Sequence, residues 1–110
     1  MKIRVYFEDT DFSGIVYHAN YLKYCERGRS DFLRHSGVHH AELFSSDDGS
    51  EPLAFAVKRM EIDFIRPARI DDIVCVESRV AKMRGASMQI DQRVMRGDDV
   101  LFEAKVIAVL

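Results

Sequence analysis

Near the start of the chain three carboxylates, Glu8, Asp9 and Asp11, fall within four positions, and the run EDTDFSGIVYH then passes through Gly14 to His18. Three chemistries fit such a run. As a metal site, Asp9, Asp11, Ser13, Gly14 and Val16 take the first, third, fifth, sixth and eighth places of a calcium loop. The twelfth place, however, is Asn20, which offers no bidentate carboxylate. The preceding KIRVYF also reads as a strand, whereas a calcium loop of this type follows a helix. As a plain strand-to-helix turn, the acids favour the helix dipole. That accounts for the acids and leaves the company of Asp11, Gly14, Tyr17 and His18 unexplained. As an acyl-transfer site, a carboxylate stands beside a helix N-terminus whose free N–H groups receive a carbonyl oxygen. Gly14 would let the backbone bend and approach a ligand, and Asp11 would face the carbonyl carbon or an attacking water.

The elements that must position these residues are legible from periodicity. Residues 2–7 alternate basic and apolar side chains and predict a short half-buried strand. Residues 18–36 predict a helix with Leu22, Cys25, Arg29, Phe32 and Leu33 on its apolar face, stopped at Gly37. Gly28 lies in the middle of that helix, where it costs roughly 1 kcal/mol relative to alanine; the pattern predicts close approach of another backbone there. A helical turn is expected at 39–44 and a polar loop at 45–52. The period then changes to two. Residues 53–65 predict a long strand with Met60, Ile62 and Phe64 on one face, Arg59, Glu61 and Asp63 on the other, and a bulge near Lys58 where the apolar phase shifts. Strands are expected at 73–80, 86–95 (Met88, Ile90 and Val94 inward) and 100–110 (Phe102, Ala104, Val106 and Ala108 on one face). One early helix followed by four antiparallel strands, with the first strand as a fifth, predicts an α+β domain whose helix covers one sheet face. Such a layer leaves edges and apolar surface uncovered, so self-association is expected.

At 110 residues the chain has room for one hydrophobic core, a single domain over 1–110. Ending on a strand suggests that it is trimmed at its C-terminus. A net charge of −2 argues against a nucleic-acid binder. No apolar run approaches a bilayer span and no signal peptide opens the chain, so neither membrane insertion nor export is expected. Cys25 and Cys75 make no disulfide framework and match no zinc spacing; they read as reduced thiols of a cytoplasmic protein.

The stretch EDTDFSGIVYHANYLKYCERGRSDFL closely resembles the signature of the hotdog-fold acyl-CoA thioesterases, the 4-hydroxybenzoyl-CoA thioesterase-like group. Within that group it is most similar to the bacterial branch associated with the Tol-Pal system. The downstream strand order and RPARIDD agree with the family over nearly all the rest. The resemblance implies a long helix wrapped by a curved antiparallel sheet of five strands, in homodimers or homotetramers. It implies hydrolysis of acyl-CoA to a free acid and CoA without metal or redox cofactor, with acyl carrier protein as the other conceivable donor. Asp11 then matches the family's catalytic aspartate, and the backbone N–H of His18 matches the group that polarises the thioester carbonyl. The side chain of His18 is left between orienting water, assisting thiolate departure and capping the helix. Asp11 as nucleophile and Asp11 as general base both remain open. Two rival readings stand beside this one: a hotdog dehydratase acting on hydroxyacyl thioesters, and a non-catalytic module that binds acyl thioesters or acyl carrier protein.

Other residues carry weaker signals. Tyr17 and Tyr21 are candidates to line the acyl channel, although aromatic residues at a helix start more often pack. Glu26 is a candidate second carboxylate, or a partner of Arg27, Arg29 or Arg59. Arg59, Arg66, Arg69, Lys82 and Arg84 are candidates for the CoA phosphates, a role that favours Arg and Lys. His39-His40 invites a metal reading, but adjacent helical side chains do not face each other. Arg96-Gly97-Asp98 spells an adhesion tripeptide, for which a turn between strands is sufficient explanation.

Overall fold

The computed structural model describes residues 1–35 and 56–109. Expectations for Gly37, the turn at 39–44 with its histidine pair, the loop at 45–52 and the first residues of the long strand lie outside the described residues. Within them, β1 (Lys2–Arg4) leads through a 3-10 turn (Phe7–Asp9) to α1 (His18–His35). β2 (Ala56–Phe64), β3 (Ile73–Arg84), β4 (Ser87–Arg96) and β5 (Asp99–Val109) follow. They form one antiparallel sheet in the order β1-β3-β4-β5-β2.

The helix packs on the sheet face that carries Val74, Val76, Ile90, Val94, Phe102, Ala104 and Val106, all buried. Alternation along β4 and β5 is as expected from period two, with Met88, Ile90, Gln92 and Val94 buried in one row and Phe102, Ala104, Val106 and Ala108 in the next. The other face is charged. Glu61, Lys105, Asp91 and Arg79 stand side by side across four strands, with Arg79 bonded to Asp91 at 3.3 Å and Lys105 beside Glu61 at 4.0 Å. A trough of about 640 Å³ on that charged face is lined by Glu61, Asp91, Arg93 and Lys105 among others, and by none of residues 9–18.

The helix face differs from the expected one. Tyr21, Tyr24, Cys25, Gly28 and Leu33 are buried, while Leu22 is 37% exposed. The line of closest approach is set by Gly28, where an added Cβ would lie 2.5 Å from Val76 Cγ1. Turning that line to the sheet brings Tyr21 and Tyr24 inward and Leu22 outward. Gln92, the buried polar residue of the core, fastens the same contact. Its Nε2 donates to Cys25 O and Ser78 Oγ, both at 2.9 Å, and its Oε1 accepts from Arg29 Nη1 at 2.9 Å. Burial lowers the pKa of Arg29, opposed by the nearby Cys25 and Glu26.

Strand ends differ too, each for a local reason. β1 stops at Arg4 because the chain turns into the 3-10 segment, leaving Tyr6 and Phe7 exposed. β3 runs past Val80 to Arg84, since a bulge at Ala81 lets Lys82 pair with Gln89 and Met83 with Met88. The bulge expected at Lys58 is present between Val57 and Arg59. A further one makes Leu101 the extra residue between β4 and β5, which explains why Leu101 and Phe102 are buried in succession. Residues 96–99 form the expected turn, with Arg96 paired to Asp99.

Candidate active site

Asp9, Thr10 and Asp11 do not form a free loop. They pair with the residues that lead into the helix. Tyr17 N–H donates to Asp9 O at 2.9 Å, Asp11 N–H donates to Ile15 O at 2.8 Å, and Thr10 bridges Val16. Residues 9–17 are therefore a small hairpin whose tip is Phe12, Ser13 and Gly14. Gly14 has φ +77° with nothing within 4 Å of where a Cβ would sit, so backbone conformation and not space requires glycine there.

A second segment braces the hairpin from outside. Val16 N–H donates to Ala68 O at 2.8 Å, Ile70 N–H reaches Gly14 O at 3.4 Å, and Ile15 bridges Arg69. The bracing segment is itself held by Asp72, whose carboxylate accepts from Arg69 N–H at 2.9 Å and from Arg96 Nη1 at 2.8 Å. Burial opposes ionisation of Asp72, but the Arg69 N–H and the Arg96 guanidinium outweigh it and leave its pKa below the ordinary value.

On this frame Asp11 is exposed, and its Oδ1 accepts the Ser13 N–H at 2.8 Å. That bond fixes the carboxylate on the tip and leaves Oδ2 without a bond among the described residues. Two residues past the paired Val16, α1 begins at His18. Asn20 N–H donates to Tyr17 O at 2.9 Å, while the N–H groups of His18 and Ala19 have no acceptor among the described residues. No acidic side chain lies in the first helical turn, so nothing on the helix itself neutralises its positive end. An exposed carboxylate with one oxygen unengaged and helix-terminal amides without an acceptor, both among the described residues, thus stand at the tip and base of one hairpin. That combination suits attack on a carbonyl whose oxygen needs stabilisation.

The remaining sequence candidates divide. The imidazole of His18 is exposed, 4.4 Å from the Tyr17 ring and 6.2 Å from that of Phe64, centroid to centroid. Tyr17 is half exposed. Tyr21 is a core residue: its ring stacks on Phe102 at 5.2 Å and its hydroxyl accepts the Ala68 N–H at 2.8 Å. Burial raises its pKa. Arg59 lies on β2, five residues before Phe64, and pairs with Glu61 at 2.9 Å, not with Glu26. Glu26 is exposed and forms no ion pair among the described residues. The calcium reading fails on the same geometry. A strand and a 3-10 turn precede the run, the Asp9 carboxylate accepts Tyr6 N–H at 2.9 Å and Asp11 holds Ser13 N–H. Sequence reasoning gave Phe64, Asp72, Arg96 and Asn20 no role at the site. Each acts through a contact distant in sequence or through a backbone acceptor, and neither leaves a pattern in a single sequence.

One helix against an open five-stranded antiparallel sheet, with the site at the helix start, is the hotdog architecture. The thioesterase superfamily pattern, 4HBT, matches residues 13–103, and the chain belongs to that family. It is 40% identical over 104 residues to the acyl-CoA thioesterase YbgC of Haemophilus influenzae, covering 94% of this chain and 74% of the relative. It is 38% identical over 108 residues to the acyl-CoA thioester hydrolase YbgC of Escherichia coli O6:H1, covering 97% of this chain and 77% of that one. The crystal structure of a probable thioesterase from Bartonella henselae superposes with a TM-score of 0.92 at 44% identity, over 99% of this chain and 87% of that one.

Proposed function

We propose that the protein is an acyl-CoA thioesterase in which Asp11 supplies the reacting carboxylate and the amides at the start of α1 polarise the thioester carbonyl. The observation that carries this reading is the hairpin of residues 9–17, with an exposed carboxylate at one end and, at the other, helix amides that have no acceptor among the described residues. As general base, Asp11 takes a proton from water while the oxygen attacks the carbonyl carbon. The oxyanion rests on the N–H of His18, and collapse breaks the C–S bond and releases CoA thiolate with the free acid. As nucleophile, Asp11 displaces the thiolate itself to give a mixed anhydride, which water then cleaves. A thiolate leaves with less protonation help than an amine, so either route runs without a dedicated acid. Arg59, Arg66, Arg69, Lys82 and Arg84 are the basic candidates for the CoA phosphates. The two free cysteines suit a cytoplasmic enzyme.

Self-association belongs to the same reading. β2 is one of the two outer strands of the sheet, and Val57, Ile62, Phe64 and Ile65 on or just after it are 36–52% exposed. A second copy aligned along β2 would cover that row and the unpaired strand edge in a homodimer or a homotetramer. Light scattering should return a mass of two or four chains, and a monomer would rule the arrangement out.

The test of function is thiol release from a panel of acyl-CoA and acyl-carrier-protein thioesters by wild type and Asp11→Asn. The variant is expected to lose about 10²-fold or more in kcat. Wild-type turnover by folded Asp11→Asn would remove Asp11 from the mechanism. Single turnover in ¹⁸O water tests the nucleophile route, because label found in Asp11 means that water opened an anhydride at the aspartyl carbonyl. Binding without thiol release across the panel would mark a carrier module instead.

A further inference from the structure

The carbonyl oxygen of Asp9 accepts two hydrogen bonds from different parts of the chain. One comes from Tyr17 N–H, the residue before the helix, and the other from Asn20 Nδ2 in its first turn, each at 2.9 Å. The acceptor is a carbonyl, so chemistry fixes the orientation of the Asn20 amide, NH₂ toward Asp9. Asn20 is partly buried and also closes the first turn through its own N–H to Tyr17 O. Asparagine has a low helix propensity because its side chain competes for backbone groups, and here that side chain is spent on the Asp9 carbonyl. Val16 and the Tyr21 hydroxyl tie the helix start to Ala68, whereas the bonds from positions 17 and 20 converge on one oxygen and tie it to the strand that carries Asp11.

We propose that Asn20 is a positioning residue for thioester hydrolysis: by tying the first turn of α1 to Asp9 O, it fixes the His18 and Ala19 amides relative to the Asp11 carboxylate. Asp11 lies two residues beyond Asp9 on the same hairpin strand, so the anchor and the reacting group share one short rigid segment. Asn20 itself touches no reacting atom. This inference rests on the Asp11 reading above and adds to it the residue that sets the spacing.

The test compares Asn20→Asp, Asn20→Ala, Asn20→Gln and Asp11→Asn in the thiol-release assay, with melting temperatures measured alongside. Asn20→Asp is the sharpest arm. It keeps the size of the side chain and places an acid in the first turn, where the helix dipole favours it, yet it presents oxygen to oxygen at Asp9. Its melting temperature should therefore hold while kcat falls about 10- to 100-fold, the scale of a misplacement near 1 Å. KM should stay within about twofold, since uniform binding is untouched. Asn20→Ala should lose kcat similarly and carries the test if the aspartate variant does not fold. Asn20→Gln, with the donor on a longer arm, should recover part of the rate. Wild-type kcat in folded Asn20→Asp overturns the proposal. So does a rise in KM at unchanged kcat, or a loss that follows melting temperature alone. If Asp11→Asn is inactive while the Asn20 variants are unaffected, only the positioning role fails. If Asp11→Asn is fully active, the underlying reading fails.

Discussion

Replacing Gly28 by alanine sets helix propensity against packing, and the two predict opposite signs. In an exposed helix the change would stabilise by about 1 kcal/mol. Here the new methyl would lie 2.5 Å from Val76 Cγ1, 3.2 Å from Val76 Cβ and 3.5 Å from Gln92 Nε2. Carbon atoms in contact prefer about 3.5–4.0 Å, so the helix must retreat by about 1 Å or Val76 must leave its rotamer. Valine is stiff at χ1, and overpacking of this kind costs about 1–3 kcal/mol. Retreat would also stretch the 2.9 Å bond from Gln92 to Cys25 O at a buried site. The net expectation is destabilisation by about 1–2 kcal/mol, a fall in Tm of roughly 5–10 °C for a domain of this size. Thermal melts followed by circular dichroism read it directly. Val76→Ala supplies the control, because it removes Cγ1 and opens the space the new methyl needs. The double variant should be more stable than the sum of the singles by about 1 kcal/mol or more. A Gly28→Ala variant that melts at or above wild type would show that α1 is not pressed onto β3 at this point, and the account of its buried face would fall with it.

Arg96→Met should destabilise by about 1–2 kcal/mol, since it strips charge-assisted hydrogen bonds from a partly exposed pair. Asp72 has a depressed pKa in the folded state, so its contribution is complete above the ordinary value of 3.8 and lost as pH falls through the folded value. The Tm difference between wild type and Arg96→Met should accordingly hold from neutral pH to about 5 and shrink below about 4; a difference that persists in acid would locate the effect elsewhere. Tyr24→Phe tests a buried polar atom. The Tyr24 hydroxyl is inaccessible and has no hydrogen-bond partner among the described residues, and burial together with the nearby Asp9 carboxylate raises its pKa well above the ordinary value. Removing an unsatisfied buried hydroxyl should leave Tm unchanged or higher; a clear drop would mean that Asp9 accepts from it.

The elements were legible wherever side-chain periodicity carries the information. The helix span, the alternation of β4 and β5 and the bulge at Lys58 all follow from which positions are apolar. The rotation of α1 was not. Leu22 and Tyr21 are adjacent, both apolar enough to be buried, and the choice falls to Gly28, whose effect depends on a residue 48 positions away, Val76. The extension of β3 past Val80 was hidden because its bulge breaks the alternation that marks a strand. At the site, residue types pointed to Asp11 and the helix start. The hairpin of 9–17 and its brace at 68–70 meet through backbone bonds, which constrain few side chains beyond Gly14. Asn20 and Arg96 act on backbone carbonyls or across the sheet, so neither stands out in a list of reactive residues.

The bracing of the hairpin also has a kinetic consequence. Asp11 and His18 are seven positions apart, yet what holds their segment comes from residues 68–72, and that support is pinned by Arg96 on β4. Contacts of such sequence separation close late, after the loop entropy between them has been overcome. Helix α1 can form early from local interactions, whereas the competent arrangement at its start must wait for the third and fourth strands to pair. On the proposed mechanism catalytic competence is therefore a property of the completed sheet, and a chain interrupted before β4 would carry Asp11 and His18 without the frame that holds them in place.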